Sequence, residues 1–211
     1  MNSDEQPQKL GGVKTPKHSE LIACLGWNHS FGHYLAAYER AVEVLFKSID
    51  EGHQAIDLIA PPLLFLMRHS MELGYKFSLW ELHRMNGEPY DPKAYKNHRL
   101  DQLHEALQTQ HEKAVKKYDL PDSHVDNFVE YSAKTEAGLK QFIALDAGSF
   151  NFRYPIDNTG KPNFDQNQTV DLVALKLLYG DAMILLRHTA DVLGEYVDIH
   201  NYMMRDFHGS F

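Results

Sequence analysis

The chain has 211 residues, of which 43% are hydrophobic, and its single cysteine is Cys24. This length and hydrophobic content suit one domain with a core of its own, and they exclude an intrinsically disordered chain. The formal net charge of −8 excludes a basic surface spread over the whole protein, although it permits a local basic cleft. One cysteine excludes an intrachain disulfide and a Cys-rich zinc site, so the reducing cytoplasm is the expected compartment.

Residues 1–20 are polar and include two adjacent glycines. They lack the apolar stretch of a secretory signal peptide, so the sequence predicts a flexible leader followed by a single domain at residues 21–211. The longest apolar run, residues 56–67, is interrupted by two prolines and is too short to span a bilayer. We therefore expect no membrane association.

The first predicted helix begins after Ser30, because serine caps helix N-termini by accepting a backbone hydrogen bond. Apolar residues then recur at spacings of three and four, which is the pattern of an amphipathic helix that faces a core. They are Leu35, Tyr38, Val42, Leu45 and Ile49. Gly52 is expected to follow the end of this helix.

The second helix is predicted to start at Pro61-Pro62, since proline is well tolerated in a first helical turn. A start near Gln54 is the alternative. The sequence is apolar almost all round between residues 56 and 67, which is typical of a central, buried helix. The turn-forming residues from Asn86 to Pro89 are expected to end it.

The third helix is predicted to begin near His98, and the fourth at Pro121 with Asp122 or Ser123 as its cap. The apolar side of the third helix comprises Leu100, Leu103, His104 and Leu107. The inner face of the fourth comprises Val125, Phe128, Val129, Leu139 and Phe142. Both spacings fit helices that pack on one side.

Residues 146–168 differ from the rest of the chain. They contain two glycines and two prolines, and aromatic residues alternate with others from Phe150 to Tyr154. This pattern predicts an extended arm or a short hairpin, with its turn at residues 157–160.

The last helix is predicted to start near Thr169 or Asp171 and to reach about Tyr202, with a break at Gly180 or Gly194. Its predicted buried stripe comprises Val173, Leu177, Ile184, Leu185, His188, Val192 and Tyr196. Four or five long helices with one irregular insertion predict an all-α helical bundle.

A row of charged residues lies on the apolar second helix. Arg68, Glu72 and Lys76 are four residues apart and share one helix face, and His69 lies next to Arg68. Because charge is costly to desolvate without a partner, the row indicates either an ion-pair ladder or a functional site. In the structural alternative these residues form intrahelical ion pairs and His98 caps a helix.

In the functional alternative the same residues act on a phosphate. Metal-independent RNA cleavage needs a base, an acid and a cation, and His69, His98, Arg68 and Arg153 are of the required types. Arg153 lies between two aromatic residues on a predicted loop, where it either binds phosphate or stacks on a base, or else pairs with Asp157 or Glu72 while the aromatic residues fold the arm over the bundle. Both interpretations stay open.

Several common sites are missing from the sequence. The chain has no phosphate-binding Gly-x-x-x-x-Gly-Lys loop and no Gly-x-Ser-x-Gly nucleophile elbow. Its aspartates do not follow the spacing of a calcium-binding loop. We therefore expect neither a metal ion nor another cofactor.

The pattern Arg-His-x-x-Glu-Leu-x-x-Lys spans Arg68 to Lys76, and the next helix begins His98-x-Leu-x-x-Leu. Over residues 61–107 this helix pair resembles that of prokaryotic HEPN-like proteins (higher eukaryotes and prokaryotes nucleotide-binding). The segment Phe152-Arg153-Tyr154-Pro155 also looks like one that accompanies such domains. The resemblance implies a small helical bundle that acts on RNA or a nucleotide in a prokaryotic defence or toxin system.

The resemblance further implies a homodimer and a cognate antitoxin or other partner protein. It implies a site in which catalysis falls to three residues, His69, His98 and Arg68. The residues that it implies for substrate binding are Glu72, Lys76, Arg153, Tyr154 and Asp157.

The motif of catalytic HEPN ribonucleases, an arginine and then a histidine after four to six residues, is not well placed here. Arg205 and His208 are too close together. Arg99 and His104 have the spacing, but leucine follows the arginine and the pair opens a middle helix. Three hypotheses stay open: a metal-independent endoribonuclease, a non-catalytic module that binds RNA or a nucleotide or scaffolds a partner, and a self-associating helical protein.

Overall fold

The computed structural model describes residues 22–26, 30–53 and 55–208, with backbone alone at position 190 and from 204 onward. The predicted leader lies outside the described residues. Within them the chain forms six α-helices and a five-residue π-helical segment, and its only β-structure is an isolated bridge between Ile156 and Pro162. The predicted all-α helical bundle is confirmed.

Cap residues fix the starts of two helices. Ser30 caps the first helix by accepting a hydrogen bond from the His33 amide, as predicted, and the Asp171 carboxylate caps the fifth by accepting from two amides. The helices are α1 (Phe31–Asp50), α2 (Ile56–Asn86), α3 (Leu100–Tyr118), α4 (Asp122–Leu145), α5 (Leu172–His188) and α6 (Gly194–His208). The π-helical segment, Thr189–Leu193, lies between α5 and α6.

The start of α2 corrects one prediction. The helix begins at Ile56, so Pro61 and Pro62 lie in its second turn and not at its N-terminus. Each proline removes one backbone hydrogen bond, and the carbonyls that lose a donor belong to Asp57 and Leu58. Both residues lie on the exposed first turn, where water can hydrogen-bond to these carbonyls.

The second helix, α2, is the central helix of the bundle, as its sequence predicts. It packs against α1, α3 and α5. Its fully buried residues include Leu63, Met67, Met71, Tyr75, Leu79 and Leu82. Gly74 allows α5 to approach closely, because a Cβ at this position would lie 2.8 Å from Leu186 Cδ1. No helix within the described residues has the length and hydropathy that crossing a membrane requires.

The buried face of α5 differs from the prediction. Val173 and Leu177 are 70% and 69% exposed, and Ile184 is also exposed. The face that packs on α2 and α4 comprises Leu172, Leu175, Tyr179, Ala182, Leu185 and Leu186. Because α5 is apolar on both sides, spacing alone does not select the buried one. The predicted break at Gly194 is confirmed, since the π-helical segment ends immediately before it.

The arm predicted at residues 146–168 lies in the loop between α4 and α5, which spans residues 146–171. Its turn is closed by the Asp157 amide, which donates to the Lys161 carbonyl at 2.7 Å, and by Gly160 with φ +82°. The Asp157 carboxylate accepts hydrogen bonds from the amides of Thr159 and Lys161. The arm returns along itself for only one bridged pair, so it is a loop with a tight tip.

Candidate functional site

Three segments of the chain meet at the charged row of α2. The side chains of Arg68, Glu72 and Lys76 project from one helix face because they are one turn apart. The loop before α3 supplies His98, and the start of the arm supplies carbonyls that bind Arg68 from 78 positions along the chain. Side chains that are distant in sequence are therefore neighbours here.

Glu72 is the centre of the cluster. Its carboxylate, 2% exposed, accepts hydrogen bonds from Lys76 Nζ at 2.7 Å and from His98 Nδ1 at 2.9 and 3.0 Å. Arg68 Nη1 lies 3.7 Å from the same carboxylate. Burial raises the pKa of Glu72, but the hydrogen bonds and charges of Lys76 and His98 outweigh it and hold this pKa below its ordinary value.

The ionised state of Glu72 fixes the role of each His98 nitrogen. A carboxylate can only accept hydrogen bonds, so the proton lies on His98 Nδ1. The Nε2 atom is then the nitrogen that remains for a ligand or a proton. The His98 side chain is 56% exposed although its anchor is buried. A solvent-exposed imidazole held by a buried carboxylate resembles the arrangement that orients catalytic histidines.

Arg68 is fully buried and contacts backbone atoms. Its Nε donates to the Asp146 carbonyl at 2.8 Å, and Nη2 donates to the carbonyls of His98 at 2.6 Å and Ala147 at 3.2 Å. Burial lowers the pKa of Arg68, whereas the charges of Asp146 and Glu72 oppose that change. Because the guanidinium has no exposed surface, it cannot contact a substrate phosphate directly.

His69 lies beside the cluster in an aromatic setting. Its ring stacks on Phe65, with centroids 5.6 Å apart and planes 7° from parallel, and it meets the Tyr38 ring edge-on at 4.6 Å. Burial is the main cause that lowers the pKa of His69, so its ring is neutral at pH 7. His69 therefore stacks on an aromatic ring, whereas His98 is the histidine that hydrogen-bonds to Glu72.

Arg153 projects from the arm over the same aromatic residues. Its Cζ lies 5.8 Å from the Phe65 ring centroid and 5.5 Å from that of Tyr154, which is half-exposed. Its Nε donates to the Ser149 carbonyl at 2.7 Å. Its terminal nitrogens make no hydrogen bond within the described residues, and the predicted pairing with Asp157 or Glu72 does not form there.

We call Tyr38, Phe65, His69, Arg153 and Tyr154 the aromatic strip. The strip runs from α1 across α2 to the arm. His69 links it to the Glu72–His98 pair, since both of these side chains interact electrostatically with the His69 ring. Asp157, a predicted substrate-binding residue, is not among these contacts, because its carboxylate closes the tip of the arm. The site therefore brings together all the predicted residues except Asp157.

Four residues contribute to the site although the sequence did not predict them there. Phe65 lies one turn before His69, and that spacing could have indicated it. Tyr38 was expected only as a core residue of α1. Asp146 and Ser149 shape the arm through backbone contacts, since the buried Asp146 carboxylate accepts from the Phe150 amide at 2.7 Å. No local sequence signal marks such contacts.

The one arginine–histidine pair with four residues between its members does not form a site. The Arg99 guanidinium pairs at the surface with Asp101. His104 is buried and bonds to Tyr75 at 3.0 Å and Ser132 at 3.1 Å. Arg99 thus lies at the surface and His104 in the core, so the two side chains do not share a site.

Within the part of the chain that the structure describes, no group of three or more His, Cys, Asp or Glu side chains could hold a metal ion. No family model, curated protein or solved structure matches the chain. The resemblance to HEPN-like proteins therefore rests on the residues of the α2–α3 region and the arm.

Proposed function

We propose that the chain is a HEPN-like protein that binds RNA and cleaves it without a metal ion, with His98 as the general base. The observation that carries this proposal is the half-exposed His98 imidazole, bound through Nδ1 to the buried Glu72 carboxylate. A base must be oriented and must reach solvent, and this arrangement supports both.

The proposed reaction is transesterification within the RNA. His98 Nε2 takes the proton of a ribose 2′-hydroxyl while the 2′-oxygen bonds to phosphorus. The bond from phosphorus to the 5′-oxygen breaks, and that oxygen takes a proton from water. The products are a 2′,3′-cyclic phosphate and a 5′-hydroxyl end, and His98 then releases its proton to solvent.

The aromatic strip supports RNA as the ligand. The terminal nitrogens of Arg153, which make no hydrogen bond to any described residue, suit a phosphate because a guanidinium offers two parallel donors. The half-exposed Tyr154 ring and the partly buried Phe65 ring beside it suit bases of a single strand, which stack on aromatic side chains whatever their sequence. The net charge of −8 makes such a local cationic residue more important for contact with RNA.

Cleavage of a mixed-sequence single-stranded RNA in the presence of EDTA tests the proposal. His98→Ala should lower the rate by about 100-fold or more, because proton transfer by a positioned base contributes that much. The substitution keeps the backbone carbonyl that Arg68 binds. His53→Ala is the matched control, since His53 is also exposed and has its Nδ1 3.3 Å from a carboxylate, that of Glu51.

The control should cleave at the wild-type rate and yield cyclic phosphate ends. If wild-type protein cleaves no single-stranded RNA, or if His98→Ala cleaves as fast as wild type, the enzymatic proposal is wrong.

A second function, RNA binding without cleavage, is favoured by one observation. His69 packs between Phe65 and Tyr38, and Arg68 has no exposed surface. Among the described residues of the cluster, His98 is therefore the one exposed imidazole, and a second exposed histidine to protonate the leaving group is absent. This alternative predicts saturable RNA binding that needs Arg153, with intact RNA recovered at high protein concentration.

The proposal includes pairing with a second copy in the cytoplasm, in a defence or toxin system with a cognate antitoxin. The exposed apolar residues Val173, Leu177 and Ile184 on α5 support such pairing. Leu177→Glu should convert a dimer to a monomer in light scattering, whereas a wild-type protein of monomer mass would remove this part of the proposal.

A further inference from the structure

We infer that Arg68 is a positioning residue that couples the loop carrying His98 to the arm carrying Arg153. Its guanidinium donates to one carbonyl of the loop and to two carbonyls of the arm. Neither segment has regular secondary structure at the residues that Arg68 binds. The coupling stands on this geometry alone, and only its effect on cleavage rests on the proposed function.

The burial of Arg68 supports a positioning role. A buried charge is costly, and apolar residues often stabilise a core equally well, so packing alone does not explain an arginine here. Its planar fork can bind several carbonyls in fixed directions, which neither methionine nor leucine can do. The charges of Asp146 and Glu72 lie close enough to balance it.

A chain of contacts continues from Arg68 to Arg153. Arg68 holds the Asp146 carbonyl, and the Asp146 carboxylate binds the amides of Phe150 and Phe152. The turn that results places the Ser149 carbonyl where Arg153 Nε donates to it. Arg68 therefore controls both ends of the site: the backbone of His98 and the turn that presents Arg153.

Hydrogen exchange of the full-length protein, measured by mass spectrometry, tests the coupling. In Arg68→Met the amides of residues 95–99 and 146–153 should both exchange about tenfold faster, because three carbonyls lose their shared donor. The amides of α1 and α5 should stay within about twofold of wild type. Arg84→Met is the matched control, since Arg84 lies on the same helix but pairs at the surface with Glu81 and Asp198.

Arg68→Lys keeps the test decisive if Arg68→Met does not fold. Lysine retains the charge, but one ammonium cannot replace a fork that reaches two segments. Both segments should again exchange faster than in wild type. The inference is overturned if, in a folded variant, neither segment or only one of them changes.

A kinetic readout separates positioning from a general loss of stability. Arg68→Lys should lower kcat for RNA cleavage about tenfold per folded molecule, since it misplaces His98. It should weaken RNA binding by no more than the roughly tenfold expected for Arg153→Ala, since it loosens the turn that presents Arg153 without removing that arginine. Equal kcat in a folded variant counts against positioning. If wild-type protein cleaves no RNA, the proposed function fails, while the exchange experiment still decides whether Arg68 couples the two segments.

Discussion

Two histidine-containing regions of this bundle differ in how exposed the imidazole is and in what it contacts. At the candidate site, His98 is half-exposed and binds a buried carboxylate. At what we call the histidine junction, formed by His111, His124 and His188, His111 is 3% exposed and stacks on Phe128 with centroids 3.5 Å apart. Only the first arrangement can exchange protons with a ligand while staying oriented.

The histidine junction shows what an unpartnered buried imidazole costs. His111 Nε2 and His188 Nδ1 are buried without a hydrogen-bond partner within the described residues. Burial, with a smaller contribution from His188 and His124, lowers the pKa of His111 to about 4. Burial and then His124 also lower the pKa of His188, against the attraction of Asp191. His111 and His188 are therefore neutral at pH 7, and acid should weaken the junction.

The largest expected effect follows from removing the carboxylate that distinguishes the candidate site. Glu72→Gln should lower the free energy of unfolding by about 3 kcal/mol at pH 7, because it removes the anion of Lys76 and one of the two carboxylates that balance the buried Arg68. It should also lower RNA cleavage, since His98 loses the partner that orients it. Denaturant unfolding and a cleavage assay measure the two effects.

Glu88→Gln is the control for that substitution, because Glu88 pairs with Lys113 at the surface. Its unfolding midpoint should match wild type. Equal midpoints for Glu72→Gln and wild type would show that the Glu72 cluster does not stabilise the fold.

The next effect is the acid sensitivity of the histidine junction. A histidine in the unfolded chain titrates near 6.5, whereas His111 in the folded protein titrates at about 4. Between these values the unfolded state binds more protons, so stability falls as the pH decreases. We expect His111 to account for about 2 kcal/mol of the stability lost between pH 7 and pH 5.

His111→Phe should remove that share while keeping a ring against Phe128, and urea unfolding at the two pH values measures it. His53→Ala, which removes an exposed imidazole, is the control. The explanation is wrong if His111→Phe and wild-type protein lose the same stability between pH 7 and pH 5.

The smallest effect concerns the aromatic strip. Arg153→Ala should weaken single-stranded RNA binding about tenfold at low salt, because it removes one phosphate contact. It should also reduce the salt dependence of binding, as fluorescence anisotropy at several salt concentrations can measure. Arg84→Ala removes an arginine at the far end of α2 and should bind like wild type. If Arg153→Ala and Arg84→Ala bind RNA with equal affinity, the RNA does not bind at the aromatic strip.

Much of the fold followed from the sequence, because helix periodicity and caps are local. Ser30, Asp171 and the break at Gly194 were predicted for that reason. The buried face of α5 was not, since Leu177 and Leu175 are equally apolar and only the positions of α2 and α4 decide between them. The sequence predicts a start of α2 at Pro61, five residues after the observed one, because proline favours a first helical turn.

In the candidate site, too, the contacts between residues close in sequence were predictable and the long-range contacts were not. The Glu72–Lys76 pair was predicted, because residues four apart on a helix are neighbours. The carbonyl contacts of Arg68 were not, since they depend on where two loops end after the bundle has folded. His98 was predicted as a site residue or a cap, and its bond to Glu72 could not be derived from local spacing.

The tautomer of His98 tests the central claim most directly. Long-range proton–nitrogen NMR of ¹⁵N-histidine-labelled protein distinguishes a ring protonated at Nδ1 from one protonated at Nε2. We predict that neutral His98 carries its proton on Nδ1 in wild-type protein and loses this preference in Glu72→Gln. A neutral His98 ring that carries its proton mainly on Nε2 in wild-type protein would contradict the anchored imidazole on which the proposed function depends.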